Sequence, residues 1–407
     1  MTNIDYDLLI IGGGLAGASL ACALARQPLR IAMIEAVPFD AAQQPAYDDR
    51  AIALSFGTRR IFEGLGLWAH IARYATPIEK IHVSDRGHFG FTHLDCTEEG
   101  VAALGYVVIG RELGATLTRQ IQQQDNLTLF CPARLTGLNY AEDHITATVA
   151  TAEGERQVRA TLVAAADGGN SLVRELLNIE ASSDDYGQTA IIANITPGKP
   201  HQNTAYERFT DSGPLALLPM SEGRCALVWT QRHADVTATM QLSDAAFLAR
   251  LQERFGYRLG RLQHVGERHA YPLRLLRAKE QVRPRLALIG NAAHTIHPIA
   301  GQGFNLGIRD VSVLAEVICQ ARRAGQDIGA LDTLQRYRHW REQDHDRVIR
   351  FTDSLVRIFS NPSKPLALAR NLGLSTLDLC PPLKRLLSRQ AMGLLGKQPR
   401  LNRGLPL

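Results

Sequence analysis

The sequence is poor in the features that would assign it quickly. Its six cysteines, Cys22, Cys96, Cys131, Cys225, Cys319 and Cys380, are scattered with no CxxC pair. That spacing argues against a zinc site or a disulfide framework and for reduced thiols in a cytosolic protein. Charge of one sign is also scarce. The 45 Lys and Arg against 40 Asp and Glu leave a net charge of +5, and no stretch interleaves many cations with aromatics, so nucleic acid is not an expected partner. There is no internal repeat, no low-complexity run and no linker-like tract before Asn361. No second GxGxxG pattern occurs, so no separate nicotinamide domain is visible. Residues 8–25 are uncharged, but Asp5 and Asp7 precede them where a signal peptide carries positive charge. Their centre, Gly12-Gly13-Gly14, makes a good turn and a poor membrane helix. The chain is expected to be soluble and cytoplasmic.

What is present is an ordinary globular composition, 45% hydrophobic and 21% charged, in 407 residues. That length favours two domains around a common site. Residues 7–11 are a continuous apolar run, as in a parallel strand buried on both faces. Small helix-compatible residues follow over 15–26, then a second apolar strand over 30–35, which together predict a βαβ unit. Helices are predicted over 55–67, 111–124 and 244–255, and a strand over 78–84. Between 133 and 166 the pattern alternates as short strands, with turns at Glu142-Asp143 and Glu153-Gly154. The region 186–277 is mostly strand, and 286–290 is one more buried strand before a long helix from about Gly303. A second long helix, 331–359, is polar enough to be expected on the surface. The predicted fold is α/β. A Rossmann-like dinucleotide domain is built from 1–72, 106–180 and 281–360; a β-rich substrate domain (73–105 and 181–280) is inserted; 361–407 form a helical C-terminus.

Three turns carry the chemistry. The first is Gly12-x-Gly14-x-x-Gly17, with Glu35 ending the next strand. These glycines permit a tight turn and close approach of a pyrophosphate to a helix N-terminus, and the acid suits an adenosine ribose. The second, Asp167-Gly168-Gly169-Asn170-Ser171, follows another apolar run. It places an Asp and backbone amides at a nucleotide, or equally forms an ordinary turn with Ser171 capping a helix. The third runs from Gly290-Asn291 through His294, His297, Pro298, Gly301 and Gly303 to Asn305. Loop amides at a helix start suit an electron-rich ring edge or a phosphate chain.

In this order the three motifs resemble the class A flavoprotein aromatic hydroxylases, over residues 5 to about 360. Tyr186-x-Gln188-x-Ala190, Ala205-x-Glu207-Arg208-Phe209 and Gly213-Pro214-Leu215-Ala216-Leu217-Leu218-Pro219 resemble the ubiquinone-biosynthesis branch, nearest its octaprenyl methoxyphenol hydroxylases. The resemblance implies non-covalent FAD. Gly12, Gly14 and Gly17 would hold its pyrophosphate and Glu35 its ribose, with Arg50 and Arg111 near the phosphates. Asp167 and Gly168 would face the cofactor, with Gly290 and Asn291 at the ribityl chain. Pro298, Gly301, Gly303 and Asn305 would lie along the isoalloxazine, the first three being the flavin-edge candidates for the catalytic site. The family usually has Asp after Gly290. Asn291 can still hydrogen-bond but loses the charge-assisted component, which implies weaker or differently tuned flavin retention.

The resemblance further implies NAD(P)H or another electron donor, O2 as co-substrate, and oxygen transfer through a flavin C4a-hydroperoxide to a polyprenyl phenol. The prenyl tail would need an apolar channel between the β-rich domain and the helical C-terminus. A complex with other ubiquinone-biosynthesis proteins, or peripheral contact with the inner membrane face, would deliver so apolar a substrate. Hydroxylation at another ring position, a soluble aromatic substrate, and a flavin oxidase or dehydrogenase remain alternatives, with a non-enzymatic FAD-binding protein outside that class. His294 and His297 have no third metal ligand at suitable spacing, so no metal is expected. His201 and Tyr206 are candidates for deprotonating a phenol, against more common structural roles. Residues 383–395 combine apolar and basic side chains in one short helix, suited to a membrane, a partner or simple packing. Truncation after Pro381 is expected to leave FAD binding intact.

Overall fold

The computed structural model of the protein describes residues 4–39, 50–359 and 363–407. Its central sheet runs Val282–Arg283, Leu286–Leu288, Gly154–Ala165, Tyr6–Ile11, Ile31–Ile34, Leu127–Phe130. Along this order all neighbours after the first pair are parallel, while Ile145–Thr151 and Ala133–Tyr140 add to Gly154–Ala165 antiparallel. Such strands are covered on both faces, which explains their unbroken apolar sequences: Leu8, Leu9 and Ile10 are fully buried. Ile11 pairs with Ala165 and with Ile34, and Ala165 with Leu288. Four strands therefore end level, and their following turns open on one edge, where open parallel sheets bind ligands.

The helix Leu15–Ala23 returns from the first strand. Its small side chains are buried from Gly17 to Ala23, which lets it fit between the sheet and its neighbours. The long helix Gln302–Arg323 packs alongside.

A second, nine-stranded sheet is built mainly from residues 181–278, and Lys80–Asp85 and Phe91–Asp95 join it from far upstream. The joint is the parallel pairing of Lys80–Asp85 with Thr204–Thr210. One face packs Trp229 against Phe247 of the helix Asp244–Phe255. The predicted single strand over 78–84 is in fact two, Ala75–Ile78 and Lys80–Asp85, in different sheets. Glu79 breaks it by turning its backbone away: its amide donates to Asn203 and its carbonyl accepts from Cys96. The first piece belongs to a three-stranded sheet with Ala51–Ser55 and Gly105–Ile109.

Two expectations for the C-terminal third are corrected. The helix Leu331–Phe359 is not simply a surface helix. Tyr337, Arg341, His345, Val348 and Thr352 recur at three- and four-residue spacing and are buried, so one face enters the core with two basic groups on it. Nor is the chain end a separable tail. After the helices Lys364–Leu379 and Pro381–Ala391, the chain returns to the main body. Met392 O accepts from Gly57 N at 2.9 Å, the Arg400 amide donates to Glu316 Oε2 at 2.7 Å, and Leu401 joins Phe62 in the core. All six cysteines are free. Among the described residues no helix is long and apolar enough to cross a membrane.

Candidate active site

The turns at the end of the central sheet fit together through their glycines. Gly12 has φ 98°, and a Cβ there would lie 2.7 Å from the Ala166 carbonyl oxygen. Only glycine lets the first and second turns touch. A Cβ on Gly17 would stand 1.9 Å from Gly12 O, and one on Gly290 would stand 3.2 Å from the Ala16 Cβ. Gly14 differs, because a Cβ there would meet nothing within 4 Å. It is the N-cap of Leu15–Ala23, without a side-chain cap or an acid in the first turn. The helix start thus offers amides and the positive end of a dipole to open space, which suits a diphosphate.

Both carboxyl oxygens of Glu35 already accept backbone bonds, from Gly13 N at 2.6 Å and Val37 N at 2.8 Å. A carboxylate has about four acceptor positions, which leaves two for ribose hydroxyls. At the second turn both sequence readings hold together. Ser171 caps the helix Leu172–Leu176 by accepting from Arg174 N at 3.1 Å. Asp167 Oδ2 accepts from Val173 N at 3.0 Å, while its Oδ1 is buried with no partner among the described residues. An orphaned carboxylate oxygen beside the open space at Gly168 calls for a donor from a ligand. These features fit the ribose and diphosphate of FAD.

The other predicted contacts are less direct. Asn291 is exposed on the turn Gly290–Ala292. Gly110 N donates to Arg50 O at 2.8 Å, which brings Arg50 and Arg111 close along the chain fold. The Arg50 guanidinium lies 4.9 Å from the Tyr271 ring centre, and half-exposed Arg111 lies 3.5 Å from Glu112. The side chain of Asn305 is engaged within the protein. Its Oδ1 accepts from Ser55 N and Thr58 Oγ1 at 2.8 and 2.6 Å, and its Nδ2 donates to Ala53 O and Gly301 O at 2.8 and 2.6 Å. The side-chain amide is thereby spent tying the third loop to the strand Ala51–Ser55. In that loop Ala300 and Gly301 are both left-handed, with φ 54° and 61°. Gly303 lies in the first turn of Gln302–Arg323, where a Cβ would meet only Ile296 Cγ1, at 3.9 Å.

Behind the loop lies a cavity of about 450 Å³. Its floor is the second sheet, and its roof combines Pro298–Gly301 with the three C-terminal helices. Almost all the lining is apolar. Among the described residues Glu207 is the one acid in it, and burial pushes its carboxyl up to about 7, against a bond from the Ala300 amide that pulls the other way. His297 also lines the cavity. Its Nδ1 accepts from Ile299 N at 3.2 Å, so the proton is assigned to Nε2, and burial lowers its pKa to about 4. Tyr206 lines the cavity too, its ring 5.6 Å from Phe255. His201 does not: its ring nitrogens are taken by Met220 O at 3.0 Å and Asn203 N at 3.1 Å.

A family model described as FAD binding domain matches residues 5–352. The ubiquinone hydroxylase UbiL of Rhodospirillum rubrum is 41% identical over 98% of this chain and 93% of its own. The chain belongs to this family of FAD-binding hydroxylases. A 3-demethoxyubiquinol 3-hydroxylase of Escherichia coli is 33% identical, over 97% and 100% of the two chains. The solved structure of p-nitrophenol 4-monooxygenase PnpA from Pseudomonas putida shares the fold, with TM-score 0.80 and 18% identity over 98% and 100% of the two chains. The protein is an FAD-dependent monooxygenase.

Sequence reasoning missed what holds the third turn in place. Asp310 is fully buried and accepts from Gly290 N, His294 Nε2, His345 Nε2 and Arg341 Nε. Burial raises its pKa, but His345, His294 and Arg341 more than offset that and hold it well below the carboxylate range. His294 and His297 do not share a site. His294, Asp310 and His345 instead place ligand atoms within 4.8 Å of one another. The buried Arg341 guanidinium, 2.7 Å from Asp310 Oδ1, already supplies the countercharge a cation would bring. No spacing rule finds this group, because its members come from a loop and two helices.

Proposed function

We propose that this flavoprotein hydroxylates the aromatic ring of a polyprenyl phenol in ubiquinone biosynthesis. The observation that carries the reading is the apolar cavity between the Pro298–Gly301 turn and the C-terminal helices. A phenol ring placed beside the turn leaves its tail to run between Leu374, Leu377 and Leu387, which line the far side. Each methylene buried there is worth about 0.8 kcal/mol. The names of the Rhodospirillum and Escherichia relatives support a quinone-precursor substrate.

Bound FAD, reduced by NAD(P)H or another donor, supplies the activation of O2. The chain binds the cofactor, orients the ring and excludes water. Gly12, Gly14 and Gly17 with Glu35 take the adenosine diphosphate part, and Asp167, Gly168, Gly290 and Asn291 the central chain. Arg50 and Arg111 stand nearest the phosphates. Pro298, Gly301 and Gly303 meet the flavin edge, positioned by Asn305.

Delivery of the substrate is read from the outer faces of the same helices. Leu368, Leu372, Leu379, Leu383 and Leu386 are exposed there, beside exposed Arg385 and Arg389. An apolar face with cations suits the inner surface of a membrane. The deciding experiment is mass spectrometry of quinone precursors in a deletion strain. A precursor lacking one ring hydroxyl is expected, and its structure gives the ring position. Unchanged quinone with no precursor counts against the proposal, as does acid-released flavin that is not FAD.

A further inference from the structure

We propose that Glu207 accepts the hydrogen bond of the substrate's ring hydroxyl and takes up its proton as the ring is oxygenated. This rests on reading the cavity as a phenol site and adds to it the group that handles the phenol. In the strand Thr204–Thr210, alternate residues Ala205, Glu207 and Phe209 line the cavity floor. Across the ladder Glu207 stands beside Val83 on one side and Ala216 on the other, and both also line the cavity. The carboxyl is therefore ringed by apolar side chains. Burying a carboxylate in such a place costs several kcal/mol unless a partner offsets it.

The protein supplies that partner only in part. The Ala300 amide hydrogen-bonds the carboxyl, from the loop that faces the flavin edge in the proposed function. Among the described residues the other titratable or charged groups that line the cavity are His297, Tyr206 and Arg370, the Tyr206 ring packing on Phe255. His297 is neutral above about pH 4. Burial raises the Tyr206 hydroxyl, which stays protonated. Arg370, from Lys364–Leu379, is paired with Asp85 at 2.7 Å. A phenol lying between the turn and the floor would meet Glu207 as the single acid among the described lining residues, and its O–H would supply a further donor.

The proton step balances within the pair. The phenolic O–H bond breaks and a carboxyl O–H bond forms. The electron pair stays on the phenolic oxygen, from which it enriches the ring carbons ortho and para to it, and the negative charge passes from carboxylate to phenolate. An ordinary carboxylate would be a poor acceptor, because its pKa lies roughly 5.5 units below that of a phenol at about 10. With Glu207 pushed up to about 7, the gap narrows to about 3 units, nearer the match that general-base transfer needs.

The test uses the FAD-loaded protein, oxidised and without reductant. A short-tailed methoxyphenol is titrated in, and binding is followed by perturbation of the flavin absorbance. Wild type is expected to bind about tenfold more weakly at pH 5.5 than at pH 8.5, as the carboxylate is protonated and its charge-assisted bond is lost. Glu207→Gln should bind weakly at both pH values with FAD affinity unchanged, and its turnover should fall by about 10²-fold or more. Glu207→Asp should restore a pH-dependent affinity. If Glu207→Gln keeps the wild-type pH profile, the inference is overturned. It is equally overturned if both variants simply lose FAD, which would make Glu207 a latch for the Ala300 loop. If wild type binds no phenol at any pH, the phenol reading itself fails and takes this one with it.

Discussion

Asp310 Oδ2 accepts the amide hydrogen of Gly290 at 3.0 Å, so a buried carboxylate on the helix Gln302–Arg323 holds the turn that ends the last strand of the central sheet. The same side chain carries His294, His345 and Arg341. Asp310→Ala would leave two buried imidazoles and the Gly290 amide without this acceptor, and Arg341 with Asp344 at 2.6 Å as its remaining carboxylate, a loss expected to cost about 3–5 kcal/mol. Urea unfolding of the purified variant measures it. A loss under 1 kcal/mol would show that the network is not what holds this turn.

The glycines of the first motif should separate by phenotype. Gly14 has open space around its absent side chain and Gly17 has none. Gly14→Val should fold with a near-normal melting temperature and bind no FAD, since its side chain fills the diphosphate space. Gly17→Ala should damage the fold itself, because its Cβ would overlap the Gly12 carbonyl. Circular dichroism and flavin content together distinguish the two. A well-folded Gly17→Ala would contradict the packing described above.

Asn291→Asp should leave the fold intact, because the residue is exposed. A carboxylate there would make a charge-assisted bond to a ribityl hydroxyl, tightening FAD by a few-fold to about tenfold. Equilibrium titration of the apoprotein with FAD gives the number. A clear fall in affinity would remove this position from the cofactor site.

The acid limb of stability should carry the signature of His297. Burial lowers its folded pKa to about 4, against an unfolded value of 6.5. Between those values the unfolded chain takes up a proton that the folded chain refuses, so stability falls as pH drops from 6.5 to 4. For a fully buried ring the loss reaches about 3 kcal/mol. His297→Asn keeps an acceptor for the Ile299 amide and should make this part of the curve less steep, leaving the slope due to His82 and His345, which burial also lowers to about 4. Denaturant midpoints at pH 7 and pH 4.5 provide the comparison, and equal slopes in wild type and variant would rule the histidine out.

Much of this was legible in advance, for identifiable reasons. Positions such as Gly12, Gly290 and Gly301 stand out because a left-handed φ or a close approach excludes other residues. The helices at 244–255 and 331–359 stand out by their periodicity. Partners from distant segments leave no such trace. The polar face of the long helix reads as surface because nothing near Arg341 in sequence announces Asp310. Glu207 stood in a recognisable string, but its role depends on neighbours at Val83, Ala216 and Ala300, which only the folded sheets bring together.

The C-terminal segment is bound into the main body of the fold. Truncation after Pro381 would remove the contacts of Met392 with Gly57, of Arg400 with Glu316, and the buried Leu401. It should now cost FAD binding and fold together, so it cannot isolate a docking role. Substitutions on the outer face can. Leu372 and Leu386 are more than half exposed, on helices whose inner faces line the cavity. Leu372→Glu with Leu386→Glu removes apolar contact and adds charge that anionic lipid repels, without touching the core. Vesicles rich in phosphatidylglycerol should sediment the wild type and release the double variant, and added salt should weaken the binding that Arg385 and Arg389 provide. FAD content and turnover of a short-tailed phenol should stay within about twofold of wild type, since surface changes usually cost under 0.5 kcal/mol, while turnover of a long-tailed phenol in vesicles falls. If the variant still sediments and still turns over the long-tailed phenol, this face is not where the enzyme meets its substrate.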